Sequence, residues 1–278
     1  MLMRRLLVVL IACTGVILAA WFAVAGRERP SHDRTWIDEQ DHLPAVRISG
    51  DTVRIRNLRD FRHHADAPPD ARWIDGAYDL GRLERVWFVL SPFSPRFSGL
   101  AHPFLSFEFS DSQFVSLSVE ARKEVGEQYS ALWGALRRYE TMIVIGTEQD
   151  LLGLRAVAWN DPIYVYPVAV PTEMARDLFV ALLERTRQIE DSAEFYNTIT
   201  NNCTTNLLRP VNRLASRRVG RLVGLLPGYS FEAAFERGWI DTALTIEEAR
   251  VAHLMNDRIR TSMAADDFSF RIRSHLGR

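Results

Sequence analysis

The chain has 278 residues, 47% hydrophobic and 25% charged, enough for one large domain or two small ones with a sizeable core. Its formal net charge of -1 gives no global electrostatic footprint for nucleic acid. The two cysteines, Cys13 and Cys203, are too few for a disulfide scaffold.

Residues 6–26 (LLVVLIACTGVILAAWFAVAG) carry no charge and are long enough to cross a bilayer as a helix. Arg4 and Arg5 precede them, so the N-terminus is expected inside and the remainder on the far side of the membrane. A cleaved signal peptide competes with this reading. A lipobox at Leu10-Ile11-Ala12-Cys13 also competes, but the apolar run before Cys13 is short and continues past it. The expected division is residues 1–27 as cytoplasmic stub and transmembrane anchor, 28–44 as linker and 45–278 as one domain.

Ala45-Val46-Arg47-Ile48 and Val53-Arg54-Ile55-Arg56 alternate around Ser49-Gly50-Asp51-Thr52 and predict a hairpin. Residues 86–90 (VWFVL) read as a buried strand closed by Ser91-Pro92-Phe93-Ser94-Pro95. Residues 103–120 predict a half-buried antiparallel hairpin. Leu105, Phe107, Phe109, Val115, Leu117 and Val119 lie on one face, and Ser106, Glu108, Ser116, Ser118 and Glu120 on the other. With the turn centred on Asp111, partners sum to about 222 in residue number and Glu120 falls opposite His102. From Val125 the spacing turns helical through Tyr129, Leu132, Trp133, Leu136 and Tyr139, which makes Trp133, Leu136 and Tyr139 core residues. Strands are expected at 142–146 and 163–170. Helices are expected at 172–190 with Thr172 as N-cap, after Cys203 to about Leu226, at 231–238 and at 246–256. Strands followed by helices with strands between them point to an α+β fold, an antiparallel sheet packed with helices.

With Cys13 in the apolar run, Cys203 is the lone thiol of the remainder. It follows Asn201 and Asn202, and asparagine is a strong N-cap. A cysteine in a first helical turn meets the positive end of the macrodipole and unpaired N–H groups, both of which favour the thiolate. Those N–H groups, aided by an Asn202 or Asn201 side chain, would hold an oxyanion. The plain alternative is an inert buried cysteine. His102 is placed to take the thiol proton and Glu120 to orient the ring. Glu108 and Ser118 rival Glu120, which also has Arg122 two residues on as a partner. His63-His64 with Asp66 lacks a third ligand at metal spacing, so no metal or cofactor is expected. Arg209, Arg213, Arg217, Arg218 and Arg221 form either a solvated basic face or a place for anionic headgroups.

Asp60-Phe61, Ala101-His102-Pro103-Phe104-Leu105-Ser106-Phe107, Ser118-Val119-Glu120-Ala121-Arg122-Lys123-Glu124, Tyr196-Asn197 and Asn202-Cys203-Thr204-Thr205 together resemble the Lnb N-terminal periplasmic domain family, over roughly residues 32–275. Their order, histidine then strands then a helix-start cysteine, also resembles the circularly permuted papain-like fold of NlpC-type hydrolases. The resemblance implies a periplasmic domain, which with the anchor read from residues 6–26 makes a single-pass inner-membrane protein; the absence of a C-terminal membrane region is a departure from the family pattern. The resemblance implies lipoprotein N-acylation through a Cys203 thioester, with membrane phospholipid or lipoprotein as partner and no nucleic acid. Tyr196 within these motifs is expected to support the site and Arg122 and Ser118 to bind substrate, to which the basic helix adds Arg209. A cell-wall amidase or peptidase and a non-catalytic envelope module are the alternatives.

Overall fold

The computed structural model describes residues 2–25, 28–93 and 99–276. An N-terminal helix, α1 (Leu2–Ala25), is followed by β1 (Ala45–Ser49), β2 (Thr52–Arg59), β3 (Trp73–Asp79), β4 (Leu83–Pro92), β5 (Ala101–Phe109) and β6 (Phe114–Arg122). Next come α2 (Ala131–Ala135), β7 (Glu140–Gly146), α3 (Glu148–Gly153) with a π-helical turn at Leu154–Ala158, β8 (Tyr164–Pro167), α4 (Thr172–Asp191) and α5 (Cys203–Leu214). The chain closes with α6 (Arg221–Leu225), α7 (Ser230–Phe235), α8 (Ile246–Ala252), α9 (Asn256–Ser262) and α10 (Phe268–Arg273).

The expected membrane-crossing helix is corrected. A helix does form at Leu2–Ala25, but it takes Arg4 and Arg5 into its first turn, and among the described residues no helix is long and apolar enough to cross a membrane. The expected antiparallel sheet is also corrected. The eight strands run β1-β2-β7-β6-β5-β4-β8 with β3 on β2, and β2 meets β7 in parallel at Arg59–Gly146, so the sheet is mixed. The residues expected to form a linker lie along the domain: Trp36 is buried and bridges to Glu124, and His32 Nε2 is 2.7 Å from the Ile189 carbonyl.

The first hairpin turns through Gly50 in the left-handed region, where a side chain would be strained. In the second, Leu105–Leu117, Ser106–Ser116, Phe107–Val115 and Glu108–Phe114 pair at the expected sum. Its polar face is not solvated. Leu105, Phe107, Val115 and Leu117 pack against Phe179 and Leu182 of α4 and Leu207 of α5, while Phe104 on the other face joins Leu151, Ile259 and Phe268. Helices on both faces cover the polar residues too: Ser106 donates to Glu148 at 2.5 Å and Arg273 pairs with the same carboxylate, while among the described residues Ser116 Oγ is buried without a hydrogen-bond partner.

The helix expected from Val125 shrinks to α2. Gly126 takes φ +87°, and Trp133 stands 49% exposed, whereas Tyr139 is buried as expected. Strand β4 is longer than the run at 86–90, and part of the turn expected after it (Ser94-Pro95) lies outside the described residues. Pro171, not Thr172, precedes α4 at the cap position. The helix after Cys203 ends at Leu214 and resumes as α6.

Candidate active site

The β5–β6 ladder ends at Leu105–Leu117, while β5 stays paired with β4 to Ala101 and β6 with β7 to Arg122. The two central strands therefore part, and the fork between them carries His102, Ser118 and Glu120. The N-terminus of α5 meets this fork. Asn202 caps the helix, its side chain accepting from the Thr205 amide at 2.8 Å, and Thr205 Oγ1 answers the Asn202 amide in a capping box. Cys203 is thereby fixed as the first helical residue. Helix geometry leaves the Cys203 and Thr204 amides without an intrahelical partner.

His102 and Cys203 are both buried, line the same cavity, and each shifts the other's ionisation. His102 Nε2 lies 2.6 Å from Ser118 Oγ and 3.1 Å from Glu120 Oε1, which leaves Nδ1 for the thiol. Ser118 donates to Glu120 Oε1 at 2.6 Å. The two rivals of the sequence, Ser118 and Glu120, thus share the imidazole. Glu108 is elsewhere, accepting from Trp87 Nε1 at 2.8 Å.

Burial pushes the Cys203 thiol up, but the charge of His102, its hydrogen bond and one from Thr204 outweigh this and hold the thiol below its ordinary value. Burial and the Arg155 charge pull His102 down, yet Glu120 and Cys203 raise it above the usual imidazole range. Burial pushes the Glu120 carboxyl up, and His102, Arg155 and Ser118 together drive it far below the usual carboxylate range. Each shift favours the charged form of its group: thiolate at Cys203, imidazolium at His102 and carboxylate at Glu120.

Arg155 has no motif to announce it. It sits on the π-helical turn, a distortion frequent at functional sites, and reaches Glu120 Oε1 with Nη2 at 3.2 Å. Its Nη1 is buried without a hydrogen-bond partner, and its guanidinium stacks 5.0 Å from the Trp159 ring.

These groups line a cavity of about 500 Å3. Its walls are mostly apolar, with Leu100, Ala101, Val119, Leu154 and Leu225 among them. Charged side chains are fewer, and include Arg59 and Lys123. Tyr196 lines it too, edge-on to the Tyr129 ring with centroids 6.3 Å apart; burial pushes its hydroxyl far up.

Four residues expected to support the site or bind substrate are engaged in contacts within the fold. Asn202 Nδ2 is already committed to the Thr198 and Gly224 carbonyls at 2.6 and 2.8 Å, so any oxyanion would rest on the backbone amides. Asn201 is a structural bracket. Its amide donates to Thr141, Glu194 and Phe195, and its carbonyl accepts from Asn206. Arg122 donates to the Gln40 and Asp41 carbonyls and lies 4.1 Å over the Trp36 ring, clamping the N-terminal segment instead of binding substrate. Arg209 is bonded to Thr200 O and Asn201, beside a different depression near Arg185 and Arg213. Among the described residues no cluster of three or more candidate ligands could hold a metal ion.

The model of the Lnb N-terminal periplasmic domain matches residues 70–224, more than half of the chain. The chain belongs to the Lnb N-terminal periplasmic domain family. The match is narrower than the span expected from the motifs, but it includes His102, Glu120, Arg155 and Cys203. No curated protein and no solved structure matches. The permuted papain-like plan expected from motif order is not borne out.

Proposed function

We propose that the domain is a thiol acyltransferase that carries an acyl chain on Cys203, in lipoprotein N-acylation or related lipid metabolism. The observation that carries this reading is the Cys203–His102–Glu120 array, its thiol and imidazole buried, opening into a mostly apolar cavity. A hydrocarbon chain is favourable against such walls, whereas a peptidase groove is expected to offer polar partners to its substrate.

In this reading the thiolate attacks the carbonyl carbon of an ester. The carbonyl electron pair moves to oxygen and is met by the amides of Cys203 and Thr204. On collapse the C–O bond breaks, the imidazolium gives its proton to the departing alkoxide, and a thioester remains. An incoming amine then attacks, His102 takes its proton, and the C–S bond breaks to restore the thiolate. Glu120 keeps the ring oriented and stabilises its charged form. Water in place of the amine would give hydrolysis, so the fate of the thioester separates transferase from hydrolase.

The test is labelling with an activated acyl ester. Wild type should give a stoichiometric burst and a thioester on the Cys203 peptide, and a folded Cys203→Ala variant should give neither. A burst that survives Cys203→Ala would remove the reading.

A further inference from the structure

The cavity mouth is ringed by large apolar side chains that stand in solvent. Phe93, Leu100, Tyr129, Trp159 and Leu225 line the cavity and are each more than 40% exposed. Soluble surfaces scatter such residues singly, and a contiguous set marks an interaction site.

Hydrogen bonds join the segments that carry them into one rim. Asn202 Nδ2 ties the Thr198 loop to Gly224 of α6, and Thr198 Oγ1 donates to the Ala131 carbonyl of α2 at 2.8 Å. The Gly228 amide donates to the Gly99 carbonyl at 3.0 Å, and the Phe93 amide to the Leu100 carbonyl at 3.1 Å. The rim continues outward through Leu132, Trp133, Ile199 and Leu222, all exposed and none lining the cavity. The helix cap that positions Cys203 therefore also assembles the apolar face around it.

Arg217 and Arg218 before α6 and Arg221 at its first residue are exposed and without an ion pair among the described residues. Tryptophan and tyrosine at the edge of an apolar patch, flanked by unpaired arginines, match the boundary of a bilayer with anionic headgroups. A protein partner would need acidic groups fitted to this curved rim, whereas a lipid surface supplies the apolar depth and the negative charge together.

We propose that this rim docks on an anionic lipid surface and turns the cavity mouth toward the acyl chains. The proposal deepens the acyltransferase reading, since the chain would enter from the bilayer directly beside Cys203.

The test uses the full-length protein and hydrogen exchange read by mass spectrometry. Vesicles of phosphatidylcholine and phosphatidylglycerol should slow exchange at 131–135 and 221–229, and phosphatidylcholine alone should do so less. Replacing the three arginines together by glutamine should raise the lipid concentration needed by about a hundredfold. Leu132→Asp with Leu222→Asp should cut turnover of a vesicle-borne ester at least about tenfold while a soluble short-chain ester reacts as before. Unchanged exchange on vesicles, equal loss on both esters, or protection that appears with protein concentration in the absence of lipid would overturn the docking. Failure of wild type to form a thioester from the soluble ester would count against the Cys203 reading, and the exchange experiment would still decide the docking.

Discussion

Two clusters in this molecule share one design, a carboxylate held between a histidine and an arginine. In one, Asp150 accepts from Arg59 Nε and Nη2, each at 2.8 Å, and lies 2.9 Å from His63 Nε2. In the other, Glu120 holds His102 and Arg155. Both line the same cavity through their histidine and arginine. The Asp150 cluster also accepts the Phe61 amide, which leaves the carboxylate saturated and the cluster a fastener between β2 and α3. The Glu120 cluster stands at the parted strands and adds a thiol. Two such trios differ in whether a thiol stands beside the imidazole, so a histidine–carboxylate pair alone says little about chemistry.

The comparison can be broken from either side. The largest effect should come from His102→Gln, which removes the proton carrier: acyl transfer should fall by about 10²–10⁴-fold with little change in melting temperature, read by burst kinetics beside calorimetry. Asp150→Ala should do the reverse. It strands Arg59 in the interior and should cost about 3–5 kcal/mol of stability by denaturant titration, while the reactivity of Cys203 in the remaining folded protein changes little. Equal effects on both readouts in both variants would erase the distinction.

Smaller effects sharpen it. Glu120→Gln should lower transfer by at least about tenfold and bring the His102 titration down, visible by NMR. The sign for stability follows from direction. The Glu120 carboxyl sits below its unfolded value, so its contribution is fully present above about pH 4.5 and is lost as pH falls through the depressed folded value. Wild type should therefore lose more stability than Glu120→Gln on acidification below that point. Arg155→Gln should have the mildest effect, a partial rise of the Glu120 titration and a loss smaller than that of Glu120→Gln.

Much of the reactive cluster was legible because it rests on local rules. Strict alternation fixed the β5–β6 register, and asparagine before an apolar helical run fixed the cap in front of Cys203. What escaped depends on tertiary placement. A π-helical turn has no residue signature, so Arg155 looked like any other arginine. Arg122 lies two residues from Glu120, but alternation does not say what covers a strand end, and Trp36 covers it. The helical spacing around Trp133 was real but insufficient: Gly126 sends the backbone into the left-handed region, and the short α2 leaves the ring exposed. Sheet parity was invisible because only one pairing, Arg59–Gly146, joins β2 to β7.

The central claim is that His102 holds Cys203 as a thiolate. The rate of iodoacetamide alkylation at the Cys203 peptide, followed against pH in a Cys13→Ser background, tests it directly. The expected profile reports a thiol below the ordinary value of about 8.5 that moves upward in His102→Gln. A profile at or above that value, unmoved by the substitution, would contradict the account.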